Sequence, residues 1–379
     1  METERLERLS SYLEARDLES VWLARPNAFA WLTGGDNVVD RAADAGVAAI
    51  GYDGSDLHLV TDTIEAERIL AEELPDLRAA DGIDVDGGQG FRLETYPWYE
   101  ATLAEALAEY APKPAAADID VPDREFETVD PTPLRQPLTE TDVERYRDLA
   151  RETAAAVEAV CRELLADDME YEVASALSVA LTAREIEAPV VLVGGSERAT
   201  EYRHYTPTHD ELGDYALVSV TTQRHGLCAS CTRTVAFDPP GWLEERHEAA
   251  ARVETSALAA TKTAAAKGET AGDVFGEIQE AYAALGWKGE WERHHQGGAA
   301  GFAGREWIAT PDHDAPVATP MAYAWNPTVQ GAKSEGTVLV TDDGFEPLTD
   351  TGNWPTITAR AVDADVELER PGILDADSS

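Results

Sequence analysis

Apolar residues recur along the first hundred positions in two rhythms. Leu6, Leu9 and Leu13 stand at helical spacing, which predicts an amphipathic helix over residues 3–16. The run Val21-Trp22-Leu23-Ala24 reads as a buried strand. Residues 47–52 and 57–60 flank Asp53-Gly54, the pattern of a hairpin. Helical periodicity returns near 62–73 and 97–110. Residues 1–110 are therefore expected to form a small α/β domain. Residues 111–137, with Pro112, Pro114, Pro122, Pro131, Pro133 and Pro137, read as a connection.

Thr139, followed three residues later by Asp142, predicts the capped start of a helix running to about Leu165. A second helix is expected over 171–185, buried strands over 190–193 and 216–220, and two more helices near 242–266 and 272–285. The Gly-rich stretch 287–350 is strand-like, and two helix–helix–strand halves are conceivable. The second domain is placed at 138–357, with 358–379 as an acidic tail expected to fray.

Charge changes the picture. Asp and Glu number 73 against 30 Lys and Arg, a formal charge of −43 spread along all 379 residues. Only five of the cations are lysines: Lys113, Lys262, Lys267, Lys288 and Lys333. At molar salt the Debye length falls to roughly 3 Å, so such a surface stops repelling itself. The composition points to a salt-adapted protein of a salt-accumulating cytoplasm. It argues against nucleic acid or an anionic membrane as partner. No apolar leader opens the chain, no stretch approaches ~20 apolar residues, and Cys161, Cys228 and Cys231 cannot build a disulfide framework. The Cys228/Cys231 pair has no second pair to complete a zinc site.

Four segments carry candidate chemistry: residues 203–208 (RHYTPT), residues 217–219 through 230–234, residues 294–301 (HHQGGAAG), and residues 321–327 with Ser334-Glu335-Gly336. In that order they resemble the pita-bread metallopeptidase superfamily of aminopeptidase P, prolidase, methionine aminopeptidase and the metal-free creatinase. Trp31-Leu32-Thr33-Gly34-Gly35 resembles the "YLTG" element of the creatinase-type N-terminal domain. The resemblance implies an α+β fold, a pita-bread domain behind a smaller creatinase-type α/β domain, and a homodimer.

The superfamily holds two divalent ions with two Asp, one His and two Glu, because bridging carboxylates offset the repulsion of cations roughly 3.5–4 Å apart and activate a shared water. Aligned on this sequence, those positions are Ser219, Ser230, Gly298, Asn326 and Glu335. One carboxylate cannot hold two such ions, so no metal and no cofactor is expected. The cleft should then fill, with Trp325 the candidate. By the resemblance His204 matches the acid/base of creatinase, and histidine suits that role because its ordinary pKa is about 6.5. Glu335 is either a buried remnant or a carboxylate holding a cationic substrate. His294, Arg305, Glu306 and Thr232 fall at substrate-facing positions. His294-His295 beside Gly297-Gly298 reads as a polar turn in preference to a metal fragment, since adjacent histidines in a strand point to opposite faces and chelate poorly. Arg233 reads as an ion-pair partner.

Three functions stand side by side. One is a metal-independent C–N hydrolase of a small molecule or short peptide, with His204 as acid/base. Another is a catalytically silent binder of a peptide or protein, as the histone-binding relatives of this fold imply. The third, a conventional Xaa-Pro metallopeptidase, is opposed by the missing ligands.

Overall fold

The computed structural model describes residues 3–79 and 90–376, and the chain divides into two units, residues 1–136 and 137–379. In the first unit α1 (Thr3–Arg16) buries Leu9 and Leu13. β1 (Ser20–Leu23) is buried along its whole length. α2 (Pro26–Thr33) begins with proline at its first turn and ends on Gly34, whose φ of 79° is the left-handed cap glycine accepts freely. The Trp31–Gly35 motif is thus the C-terminal end of this helix. β2 (Ala48–Tyr52) and β3 (Leu57–Asp62) form the expected hairpin, with Tyr52 opposite Leu57.

Beyond β3 the expected helix over 62–73 is broken into α3 (Ala66–Arg68), a π-turn (Ile69–Glu73) and α4 (Pro75–Ala79). β4 (Phe91–Tyr96) follows. Of the helix expected over 97–110, only α5 (Leu103–Tyr110) forms, started by a Thr102/Glu105 capping box. Residues 111–137 are more than a connection. They supply β5 (Ala115–Ala117) and β6 (Phe126–Thr128), completing a mixed sheet in the order β4-β3-β2-β1-β5-β6. Alanine is depleted in strands, and here it serves because Ala115 and Ala117 pack against Trp22 and Leu107 in the core.

The second unit has two helix–helix–strand halves. In the first, α6 (Glu140–Cys161) starts at the Thr139/Asp142 capping box and is followed by α7 (Glu170–Thr182), β7 (Glu187–Gly195) and α8 (Ser196–Glu201). β8 (Tyr215–Arg224) and β9 (Leu227–Ala236) turn over His225-Gly226, both at positive φ, as a tight hairpin requires. In the second half, α9 (Leu243–Lys267) and α10 (Ala271–Ala284) precede β10 (Gly297–Ala300), β11 (Met321–Trp325), the hairpin β12 (Thr328–Val329)/β13 (Ala332–Lys333), β14 (Val338–Val340) and β15 (Phe345–Pro347). One sheet runs β10-β11-β14-β15.

Within the segment expected to fray, residues 358–375 are built into the unit. β16 (Thr356–Arg360) pairs with β17 (Glu367–Pro371), and β18 (Ile373–Asp375) adds in parallel to β9, giving the order β18-β9-β8-β7. Arg370 on β17 is buried in an ion pair with Glu254 of α9, which ties the segment down. No helix among the described residues is long and apolar enough to cross a membrane.

Candidate active site

Strand alternation decides which side chains of β8 and β9 reach the cleft. Thr222 turns to Thr153 of α6, and Arg233 pairs with Glu158 of α6 at 2.7 Å, so that face meets the helices. The opposite face carries Ser219, Thr221, Ser230 and Thr232. In the antiparallel register Ser219 stands opposite Thr232 and Thr221 opposite Ser230, with hydroxyl contacts of 2.8 and 3.1 Å. Tyr205 reaches Ser219 at 3.3 Å.

Onto this hydroxyl ladder comes Glu335. Its backbone oxygen accepts from Thr232 N at 3.1 Å. One carboxylate oxygen takes Lys333 Nζ at 2.8 Å and the Thr232 hydroxyl at 2.7 Å, and the other takes Arg305 Nη2 at 2.9 Å. Arg305 also donates to Ser230 Oγ at 2.9 Å, and Lys333 to Ser219 Oγ at 3.4 Å. Lys333 and Glu335 are buried. Burial pushes the Glu335 carboxyl up, but the Lys333 ammonium and the Arg305 guanidinium outweigh it and hold it at about 2. Two formal cations around one carboxylate leave the cluster at +1.

The protein itself supplies both cations around Glu335. Thr232 and Arg305, placed at substrate-facing positions by the sequence, are spent on the same carboxylate. Glu306 accepts from Phe302 N at 2.8 Å and so closes its own loop. Lys333 is the residue that sequence reading missed. Its signal was present: a rare lysine two positions before Glu335, spaced as strand neighbours on one face.

The other positions that the resemblance aligned with metal ligands contribute little. A Cβ at Gly298 would lie 2.1 Å from the Trp307 carbonyl oxygen and 2.8 Å from its ring, so Trp307 fills the space a side chain there would enter. Trp325 does not play that part. It donates to Thr261 Oγ1 of α9 at 3.1 Å and packs toward that helix. Asn326 is buried, and its Oδ1 lacks a donor. Two hydroxyls, a missing side chain, an amide and a carboxylate already neutralised do not fit a pair of hard divalent ions.

A second cluster borders this one. His204 follows α8, and its Nε2 lies 3.1 Å from His294 Nε2. His294 and His295 stack with ring centroids 4.3 Å apart and planes at 26°. The two rings lie side by side because the residues are not in a strand. The chain leaves a 3-10 turn (Glu290–Arg293) at His294, and β10 begins only at Gly297, so two-residue alternation does not apply. One nitrogen from each of the three rings falls within 4.8 Å of the others. Burial, then the Lys333 charge and the neighbouring rings, lower His294 to about 2. Burial, then Arg305 and Lys333, lower His295 to about 4. His204 is lowered by burial and Lys333, with Glu335 opposing. All three are neutral at pH 7. His204 lines a cavity of about 630 Å³ with Glu201, Arg203, Glu290, Arg293 and Gln330, and Arg203 is paired to Glu290 at 2.5 Å.

The description "Metallopeptidase family M24" matches residues 144–342. The Xaa-Pro dipeptidase of Pyrococcus furiosus is 22% identical over 361 residues, covering 92% of this chain and 98% of that protein. Among solved structures, an Xaa-Pro dipeptidase from Bacillus anthracis superposes with a TM-score of 0.70 at 15% identity, over 95% of this chain and 99% of that one. The N-terminal domain of the FACT complex subunit SPT16 from Cicer arietinum (chickpea) reaches 0.63 at 11% identity, over 92% and 96%. These likenesses show the pita-bread fold, and with more than half of its residues inside the matched segment, the chain belongs to metallopeptidase family M24.

Proposed function

We propose that this M24 member has given up the two-metal centre and serves as a binding protein, taking a small molecule or short peptide in the cleft beside His204. The observation that carries the reading is the state of Glu335. Both of its oxygens are held by Lys333, Arg305 and Thr232. An ammonium and a guanidinium beside the one surviving carboxylate do electrostatically what cations would do there, and they cannot activate a water. Ser219, Ser230 and Thr232 are turned on one another and on this cluster, which leaves no free anionic group among the five aligned positions. The homodimer implied by the resemblance belongs to the same reading.

The metal-independent C–N hydrolase stands second. It is favoured by a neutral His204 at the wall of the cavity, able to accept a proton at pH 7. It is disfavoured because His204 is bonded to His294, not to a hydroxyl or thiol nucleophile.

The test is titration of the full chain with Mn²⁺ in molar KCl, alongside a screen of Xaa-Pro dipeptides, guanidino acids and N-acyl diamino acids by turnover and by thermal shift. The expected result is no pair of bound Mn²⁺ ions, no turnover, and thermal stabilisation by a ligand. Two Mn²⁺ per chain with Xaa-Pro cleavage overturns the proposal. Metal-free turnover abolished by His204→Ala installs the second reading.

A further inference from the structure

The histidine cluster is a set of converging donors that the ion-pair cluster does not consume. We infer that His204, His294 and His295 form a site for a single d-block dication of the Zn²⁺, Co²⁺, Ni²⁺ or Cu²⁺ class, apart from the five positions of the family's ion pair. The first support is distance. Metal–imidazole bonds of about 2.0–2.1 Å put neighbouring nitrogens of a tetrahedral centre about 3.3–3.4 Å apart. The His204 and His294 Nε2 atoms stand at 3.1 Å, and one nitrogen of His295 lies within 4.8 Å of both. Two ring nitrogens at that separation need a proton or a cation between them, since two lone pairs repel.

The second support is want of a partner on His295, whose Nδ1 is buried with no hydrogen-bond partner and is left short unless it is the atom the ion takes. The third support is access. His204 is exposed and lines the cavity, so an ion held by three imidazoles keeps a further coordination position open toward that space. Imidazole donors without a carboxylate select borderline metals and reject Mg²⁺, Ca²⁺ and Mn²⁺. The +1 charge of the neighbouring Lys333–Glu335–Arg305 cluster opposes a cation, which sets the affinity below that of an isolated three-histidine site. This site is independent of whether the cleft binds or hydrolyses its ligand.

The experiment is Co²⁺ titration of the chelator-treated full-length protein in molar KCl, followed by visible absorption. The site predicts one Co²⁺ per chain with the intense bands of a low-coordinate, nitrogen-ligated ion. His204→Ala and His295→Ala should each weaken binding by about tenfold or more and collapse those bands, while His209→Ala leaves both unchanged. Circular dichroism checks that the variants are folded, and His204→Ala, being an exposed change, decides the matter by itself if His295→Ala does not fold. The inference is overturned if His204→Ala binds Co²⁺ like the parent. It is equally overturned if the parent shows only the weak octahedral spectrum of Co²⁺ scattered over surface carboxylates.

Discussion

The second unit holds two polar clusters side by side, and their accounts of hydrogen-bonding capacity differ. Around Glu335, an ammonium, a guanidinium and a threonine hydroxyl occupy both carboxylate oxygens. Around His294, by contrast, two ring nitrogens are buried without partners. A carboxylate with both oxygens held ties the fold together, although Arg305 Nε beside it has no partner, and ring nitrogens left short mark where a ligand is to be sought. Removing a member of the first should therefore cost stability, and removing a member of the second should cost binding.

The largest effect is expected for Glu335→Gln. It leaves Lys333 and Arg305 buried without their counter-ion, a loss of roughly 3–5 kcal/mol on the scale of broken buried pairs, read by urea denaturation. Adding Lys333→Met should recover part of that loss. A double change costing the full sum of the single ones would separate the two residues energetically and break the cluster account. Next comes Gly298→Ala. The new Cβ meets the backbone oxygen of Trp307, and the forced shift should cost about 1–3 kcal/mol. Wild-type stability at that position would mean the Trp307 loop yields freely and the space could take a ligand side chain.

Acid sharpens the comparison further. The folded Glu335 carboxyl lies at about 2, below its ordinary 4.5. Its contribution is full above the unfolded value and drains as pH falls from about 4.5 toward about 2, because over that interval the unfolded chain binds the proton more readily. The other carboxylates titrate in the same window, so the readout is the difference between wild type and Glu335→Gln, which should shrink as pH falls. The smallest effect is expected for His204→Ala. The residue is exposed but bonded to the buried His294 Nε2, so stability should fall by only about 1 kcal/mol while metal and ligand binding fall.

Much of the fold was legible because periodicity and capping speak locally. The Thr139/Asp142 box started α6 where the sequence placed it, and the Asp53-Gly54 hairpin formed between the expected strands. What escaped depended on distant partners. Ala115–Ala117 makes a strand because β1 and β6 flank it, and residues 367–375 are ordered by Glu254 and by β9. At the site, the sequence placed Glu335 among hydroxyl-bearing positions but did not show which groups surround it. Lys333 and Arg305 stand 28 positions apart in the chain, and only the fold brings both to Glu335. The histidine pair follows a 3-10 turn, and only the fold brings His204, 90 positions earlier, to it.

Crystals of the full chain soaked in Mn²⁺, with anomalous scattering recorded at a wavelength sensitive to manganese, give the most direct test. The account predicts density for Lys333 Nζ and Arg305 within hydrogen-bonding distance of Glu335, and no anomalous peak beside that carboxylate. Two peaks bridged by Glu335, with Lys333 displaced, would contradict it.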